Sequence, residues 1–232
     1  MNLKKQKLDK HGWRLVLREY ISRALILFLL LLASGKFDWR QAWLLFWLMI
    51  ALNIIFHLVV VLPAPDLYNE RGRVLPNAES WDRRLLAAYA LSGYLSVVAA
   101  GLDKRFGWTS IPSVWFIPGA ILVGLSFALT AWSMRVNRFF SSVVRIQNDR
   151  GQVVCDQGPY RVIRHPGYLG GLLFYLGVPL MLGVAAGLIF VTVIMGLFIY
   201  RIRREEQALA EELAGYKEYK ERVRYRLLPG IW

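Results

Sequence analysis

Apolar runs alternate with short polar, mostly basic stretches along the whole chain. Residues 1–23 carry Lys4, Lys5, Lys7, Lys10, Arg14, Arg18 and Arg23, and they lead into a solid apolar run over 24–33. The lower half of that approach is amphipathic, the pattern of a segment lying along an interface. A turn, GKFDWRQ, separates it from a second run over 42–62, which Pro63 and Pro65 close. The polar stretch 63–84 reads as a loop. Third and fourth runs follow over 85–102 and 114–134, joined by DKRFGWTSIPS. Uncharged runs of about 18 residues or more suffice to cross ~30 Å of hydrocarbon. The pattern predicts an all-α fold, a polytopic transmembrane helix bundle.

The last apolar block, 168–200, does not fit a single crossing. As one helix it would measure ~50 Å, far more than the hydrocarbon core. It contains LGVPLMLGVAAG, where Gly177, Pro179, Gly183 and Gly187 weaken a continuous helix. Basic stretches flank it, over 135–164 before and RIRREE after. Under the positive-inside rule both lie on the cytoplasmic side. The block is then a helical hairpin whose two short arms return to the side they left. That gives six membrane segments, four in an N-terminal region over 1–134 and two in a core region over 135–232. Both termini are placed in the cytoplasm.

Composition sharpens this reading. The chain is 56% hydrophobic with a mean hydropathy of +0.38, which leaves no room for a separate large soluble domain. Nine Trp and eleven Tyr suit a protein with two lipid–water interfaces. A net charge of +13 would suggest nucleic acid in a soluble protein. Here the Lys and Arg residues gather in loops beside apolar runs, so no nucleic-acid partner is expected. No signal-peptide cleavage pattern follows the first run, so that run is expected to stay as an anchor. The single cysteine, Cys155, excludes an internal disulfide and a cysteine-based zinc cluster, and no metal site is expected. Asn53 and His57 lie one turn apart inside the second run, on one face. Such a pair either bonds a neighbouring helix or lines a substrate path.

Candidate chemistry concentrates at the mouth of the hairpin. GPYRVIRHPGYLGG, residues 158–171, places Arg161, Arg164 and His165 before the first arm. Arg201, Arg203, Arg204, Glu205 and Glu206 follow the second. A closed hairpin brings the two clusters together at the membrane surface. Together they offer cations to a carboxylate or phosphate, and carboxylates to a diol or an ammonium group. The bland alternative is an interfacial anchor beside a solvated acidic pair.

The two-part pattern G-x-Y-x-x-x-R-H-P-x-Y-x-G, then R-x-x-x-E-E and G-Y-x-x-Y, resembles the isoprenylcysteine carboxyl methyltransferases and the related phospholipid methyltransferases. The likeness covers about residues 135–232. NERGRVLPNAESWDRRL and RFFSSVVRIQNDRGQVV look like bacterial members of the same group. The resemblance implies S-adenosylmethionine as cofactor, held in a cytoplasmic pocket, with a lipophilic or lipid substrate entering from the bilayer. Carried over residue by residue, the cofactor contacts are Gln147, Gln152, Val153, Val154, Cys155, Tyr160, Arg164, His165, Pro166, Gly167, Tyr168, Glu205 and Glu206. Arg201 matches an arginine directed at the methyl acceptor, and His165 stands beside it as a catalytic candidate. The family's histidine ahead of the GPY turn is replaced here by Gln152. A carboxylate acceptor needs no general base, whereas an amine or thiol must first lose a proton, for which His57 and His165 are candidates. Two other readings stay open: an NADPH-dependent membrane sterol or steroid-type reductase with a similar RHPGYLG segment, and a non-enzymatic membrane adaptor.

The hairpin has a direct topological consequence. Reporter fusions at Gly35 and Trp232 are expected to report opposite sides of the membrane, and the same side for both would contradict the hairpin.

Overall fold

The computed structural model describes residues 7–73 and 80–232, so Lys4, Lys5 and part of the polar stretch 63–84 lie outside the described residues. The described chain is helical: α1 (Lys10–Ser34), α2 (Arg40–Phe56), α3 (Pro65–Arg73), α4 (Ser80–Phe106), α5 (Phe116–Val136), α6 (Pro166–Leu182), α7 (Leu188–Glu212) and α8 (Tyr216–Arg222). Helix α2 continues as a π-helical turn, His57–Val61. Among the described residues, three helical stretches are long and apolar enough to cross a membrane: Arg40–Val61, Ser80–Phe106 and Ser113–Val136. Helix α6 is apolar but shorter.

Local signals set the boundaries. Asp9 caps α1 by accepting from the backbone N–H groups of His11 and Gly12, and Gly35 ends it in the left-handed region at φ 64°. The lower half of α1 is not a separate interfacial segment. It continues into the apolar part as one helix and packs on α3, so closely that a Cβ on Gly12 would sit 2.3 Å from Asn69 Oδ1.

Helix α3 corrects the loop expected over 63–84. Pro65 opens it, Asp66 stands in its first turn and Arg71 and Arg73 in its last, an order that suits the helix dipole. Its polar residues hide a short buried face: Leu67 and Tyr68 pack with Leu15, Val60, Val61 and Met134. Two apolar positions in nine residues are too few for a periodic signal, but they suffice once α1 and α5 cover them.

The C-terminal hairpin forms, although two of the expected helix breakers act otherwise. Gly177 lies inside α6, where a Cβ would meet the Gly119 carbonyl oxygen of α5 at 2.7 Å. It is a small residue at a close helix crossing, as is Gly170 against Thr130. Pro179 also lies inside α6, and the break comes at Gly183, in the left-handed region at φ 75°. Helix α7 then runs unbroken from the apolar arm through RIRREE to Glu212, which places Arg201 and Glu205 one turn apart on one face.

The hairpin tip is held to α4 by the Asp103 carboxylate and by the Ser96 hydroxyl, which donates to the Gly187 carbonyl (3.1 Å). Asp103 is fully buried and accepts from the Thr109 backbone N–H (2.7 Å) and hydroxyl (2.6 Å), and from the N–H groups of Ala185 (3.1 Å) and Ala186 (2.8 Å). Buried donors left without an acceptor cost about 1–3 kcal/mol each. Asp103→Ala is therefore expected to lower the melting temperature in detergent while leaving the distant mouth chemistry intact. An unchanged melting temperature would show that the tip is held elsewhere.

Candidate active site

One cavity of about 700 Å³ extends from the mouth of the hairpin into the bundle between α1, α2, α4 and α5. At the mouth it is lined by Gln152, Val153, Val154, Cys155, Tyr160, Arg164, His165, Pro166, Gly167, Tyr168, Arg201 and Glu205. Residues from three separate stretches, 152–155, 160–168 and 201–205, thus meet as the hairpin reading requires. Deeper, aromatic and aliphatic side chains take over, among them Phe56, Phe127, Tyr89, Val97 and Phe174. The cavity is polar at one end and apolar along its length, a shape suited to an amphiphile beside a polar cosubstrate.

Two of the expected contacts do not line this cavity. Gln147 is buried and closes the turn 147–152. Its Nε2 donates to the Phe139 carbonyl (2.7 Å), its Oε1 accepts from Arg150 (2.6 Å), and its backbone N–H donates to Gln152 Oε1 (2.7 Å). Glu206 turns the other way, into the protein. Its Oε1 accepts from Arg164 Nε (2.6 Å) and lies 3.3 Å from His165 Nε2, while its Oε2 accepts from Arg226 Nε (2.9 Å). With its two oxygens engaged by Arg164 and Arg226, Glu206 serves as a fastening point.

The fastening extends through the backbone. Arg164 Nη1 donates to the carbonyls of Val223 (2.6 Å) and Arg224 (2.8 Å). The N–H groups of Arg164 and His165 donate to Tyr225 (2.9 Å) and Arg226 (3.0 Å). The chain after α8 is thereby drawn over the mouth, and Tyr219 adds a bond from its hydroxyl to the Tyr160 carbonyl (2.9 Å). Burial alone would raise the Glu206 pKa, but hydrogen bonds from His165 and Arg164 outweigh it and bring the carboxyl from 4.5 down to about 2.

Glu205, by contrast, faces the cavity. Tyr168 donates to its Oε2 at 2.6 Å, and no cation pairs with it among the described residues. The buried Tyr216 hydroxyl, also on the cavity wall, has no partner among the described residues. Burial, followed by the Glu206 and Glu205 charges, raises its pKa, so it stays a neutral phenol able to donate. Among the described residues, the backbone of 153–155 makes no hydrogen bond to another segment. Cys155 lies beside it as a thiol, its pKa pushed up by burial. The mouth therefore presents an available carboxylate, an unpartnered phenol, a strip of open backbone and the aromatic faces of Tyr160 and Tyr168.

Arg201 does not extend freely toward an acceptor. Its Nε and Nη2 donate to Asp82 Oδ1 (2.7 Å) and Oδ2 (3.1 Å), and Nη2 also reaches the Ser142 carbonyl (2.9 Å). Asp82 is fully buried and accepts in addition from the Val144 N–H (2.8 Å). The guanidinium lies 5.7 Å from the centre of the Tyr168 ring. Asp82 and Tyr216 were missed as site residues; the signals were a lone acid at the start of an apolar run and the first Tyr of the G-Y-x-x-Y segment. Asn53 and His57 divide the two roles open to them. His57 joins helices, bonding Glu19 (3.0 Å) and Tyr20 (3.1 Å) of α1, while Asn53 lines the cavity.

Comparison with known proteins agrees with this geometry. Residues 114–215 match the family model described as phospholipid methyltransferase. The chain is 25% identical over 182 residues to a probable protein-S-isoprenylcysteine O-methyltransferase of Oryza sativa subsp. indica, covering 76% of this chain and 92% of that protein. It is 32% identical over 145 residues to protein-S-isoprenylcysteine O-methyltransferase A of Arabidopsis thaliana, covering 58% of this chain and 71% of that protein. Against the B form of the same plant it is 28% identical over 141 residues, with the same coverage.

The Glu206 fastening carries a pH signature. A carboxyl whose folded pKa is depressed stabilises fully above its unfolded value, and the contribution is lost as pH falls through the folded one. Here that window runs from 4.5 down to about 2. The melting temperature in detergent is expected to fall across the acid range in the parent, and Glu206→Gln is expected to melt lower than the parent at pH 7. Equal melting of the two at pH 7 would show that Glu206 fastens nothing.

Proposed function

The chain belongs to the isoprenylcysteine carboxyl methyltransferase family of membrane methyltransferases, and from that premise we propose that it methylates an oxygen of a lipophilic acceptor with S-adenosylmethionine as donor. The carrying observation is the single cavity that joins the polar mouth to the apolar interior of the bundle. The acceptor, an isoprenylcysteine carboxylate or a similar lipid, enters from the bilayer through the helices. Residues 135–232 form the methyltransferase core and residues 1–134 the membrane region that receives the acceptor. The helices make six membrane segments, with both termini and the cofactor mouth in the cytoplasm.

The mouth residues fit S-adenosylmethionine. Glu205 and the Tyr216 hydroxyl match the polar groups of its ribose and amino acid parts, and the open backbone of 153–155 matches the adenine edge. Tyr160 and Tyr168 supply ring faces to the base or to the cation. When bound, the cofactor supplies a methyl group on a positively charged sulfur. The protein's part is to align the acceptor oxygen with that methyl and to keep water out, so positioning supplies much of the rate. Arg201, locked by Asp82, acts as a positioning residue that holds the Tyr168 ring in place. His165 donates to the Glu206 fastening and needs no role as a base for a carboxylate acceptor. The NADPH reading would need cations free at the mouth for its extra phosphate. Arg164 and Arg226, two cations at the mouth, both direct Nε at Glu206 instead of at a phosphate-bearing ligand.

Calorimetry with the detergent-solubilised protein separates the readings. S-adenosylhomocysteine is expected to bind and NADPH not to. Glu205→Gln is expected to weaken S-adenosylhomocysteine binding about ten- to over a hundredfold, the worth of a charge-assisted hydrogen bond, without lowering the melting temperature. Binding of NADPH alone would favour the reductase, and binding of neither would favour the adaptor.

A further inference from the structure

The cavity has a second set of polar groups on its α1, α2 and α3 side, with Arg71 close enough to Arg201 at the mouth to feel its charge. Arg23 of α1, Asn53 of α2 and Arg71 of α3 all line it. Each carries a buried nitrogen with no hydrogen-bond partner: Arg23 Nε, Asn53 Nδ2 and Arg71 Nη1. All three are donors. A guanidinium can only donate, so the missing partner must be an acceptor.

The charge balance points the same way. The other cations around the cavity are matched: Arg201 by Asp82, Arg145 by Glu70, and Arg164 by Glu206. Arg23 and Arg71 form no ion pair or hydrogen bond among the described residues. The nearby carboxylate, Glu19, is already engaged by the Tyr68 hydroxyl and by His57. Arg71 rests on the Phe140 ring, 5.2 Å from its centre, a contact that orients the cation without neutralising it. Burial draws its pKa below the ordinary value, and the Arg18 and Arg201 charges act in the same sense against those of Tyr68 and Glu19. Among the described residues the charge of Glu19 is shared by two half-buried cations, which leaves one positive charge and three donor nitrogens for a ligand's negative group to match.

We infer that Arg71 and Arg23, with Asn53, form the seat for the anionic group of the methyl acceptor, a carboxylate on an amphiphile whose tail lies among Phe56, Phe127 and Phe174. The inference rests on the methyltransferase reading for the name of the ligand, but not for the presence of an anion seat. It reassigns a role that the sequence pattern gave to Arg201, whose guanidinium is committed to Asp82. It also provides a route to product release. When a carboxylate oxygen attacks the donor methyl, a C–O bond forms, the S–C bond breaks and its electron pair stays on sulfur. The resulting ester is neutral, so the two arginines no longer hold it.

The test uses S-farnesyl-N-acetylcysteine and its neutral carboxamide as probes, with binding measured on the solubilised full chain. S-adenosylhomocysteine binding is the control. The parent is expected to prefer the acid about ten- to over a hundredfold, and Arg71→Gln and Arg23→Gln to lose that preference while binding S-adenosylhomocysteine as before. Arg71→Lys, which keeps the charge, is expected to retain part of it. The melting temperature of ligand-free Arg71→Gln is expected to stay near that of the parent, because Arg71 makes no hydrogen bond or ion pair among the described residues that its loss would break. A parent without preference for the acid, including one that binds neither probe, would overturn the inference. So would retention of the preference in both Gln variants. Loss of S-adenosylhomocysteine binding in the parent, with the acid preference intact, would instead overturn the methyltransferase reading and leave the anion seat standing.

Discussion

The mouth of this protein depends on the burial of one carboxylate among two arginines and a histidine. Glu206 draws Arg164, His165 and Arg226 onto its two oxygens, and through them ties the start of α6, the end of α7 and the chain after α8 to one another. A buried group of this kind is worth little as a net gain, since desolvation offsets most of the attraction. Its importance lies in what removing one member would leave behind: buried cations without a counter-charge. The hairpin therefore has one closed arrangement, and that arrangement turns the neighbouring Glu205 toward the cavity. Adjacent carboxylates in the sequence take opposite tasks, one building the mouth and one facing its ligand.

The same division recurs further along the cavity. Arg201 and Asp82 form a second buried pair, which holds the Tyr168 ring between the mouth and the interior. Asp103 fixes the hairpin at its far tip. Each compensated charge marks a fixed part of the frame. Glu205 at the mouth, and Arg71 with Arg23, which share the one charge of Glu19, are the groups that we propose as ligand contacts. A positively charged donor beside the first and an anionic acceptor beside the second would be brought together along a single cavity.

Much of this was legible in the sequence. Runs of uncharged residues mark the long helices, and the basic flanks of 168–200 indicate a hairpin without reference to any contact. The motif residues from Gln152 to Tyr168 gather with Glu205 as their spacing about the hairpin implies. What the sequence could not convey was direction and long-range pairing. Glu205 and Glu206 are neighbours on a helix, and only the packing of α7 decides which one faces the cavity. Asp82 lies 119 residues before Arg201, so nothing local joins them. Helix α3 hid in a polar stretch because its buried face is only Leu67, Tyr68 and the polar Asn69. Gly177 appeared as a helix breaker because the same residue type serves both turns and close helix crossings.

The most direct test is to incubate the purified, reconstituted protein with S-adenosylmethionine labelled in its methyl group and a mixture of prenylated cysteine derivatives and membrane lipids, then treat the extracted products with alkali. The account predicts that label enters an amphiphilic product and is released by alkali as methanol, as a methyl ester requires. Label that enters but resists alkali would place the methyl on nitrogen or sulfur and contradict O-methylation. No incorporation into any amphiphile would contradict the account at its centre.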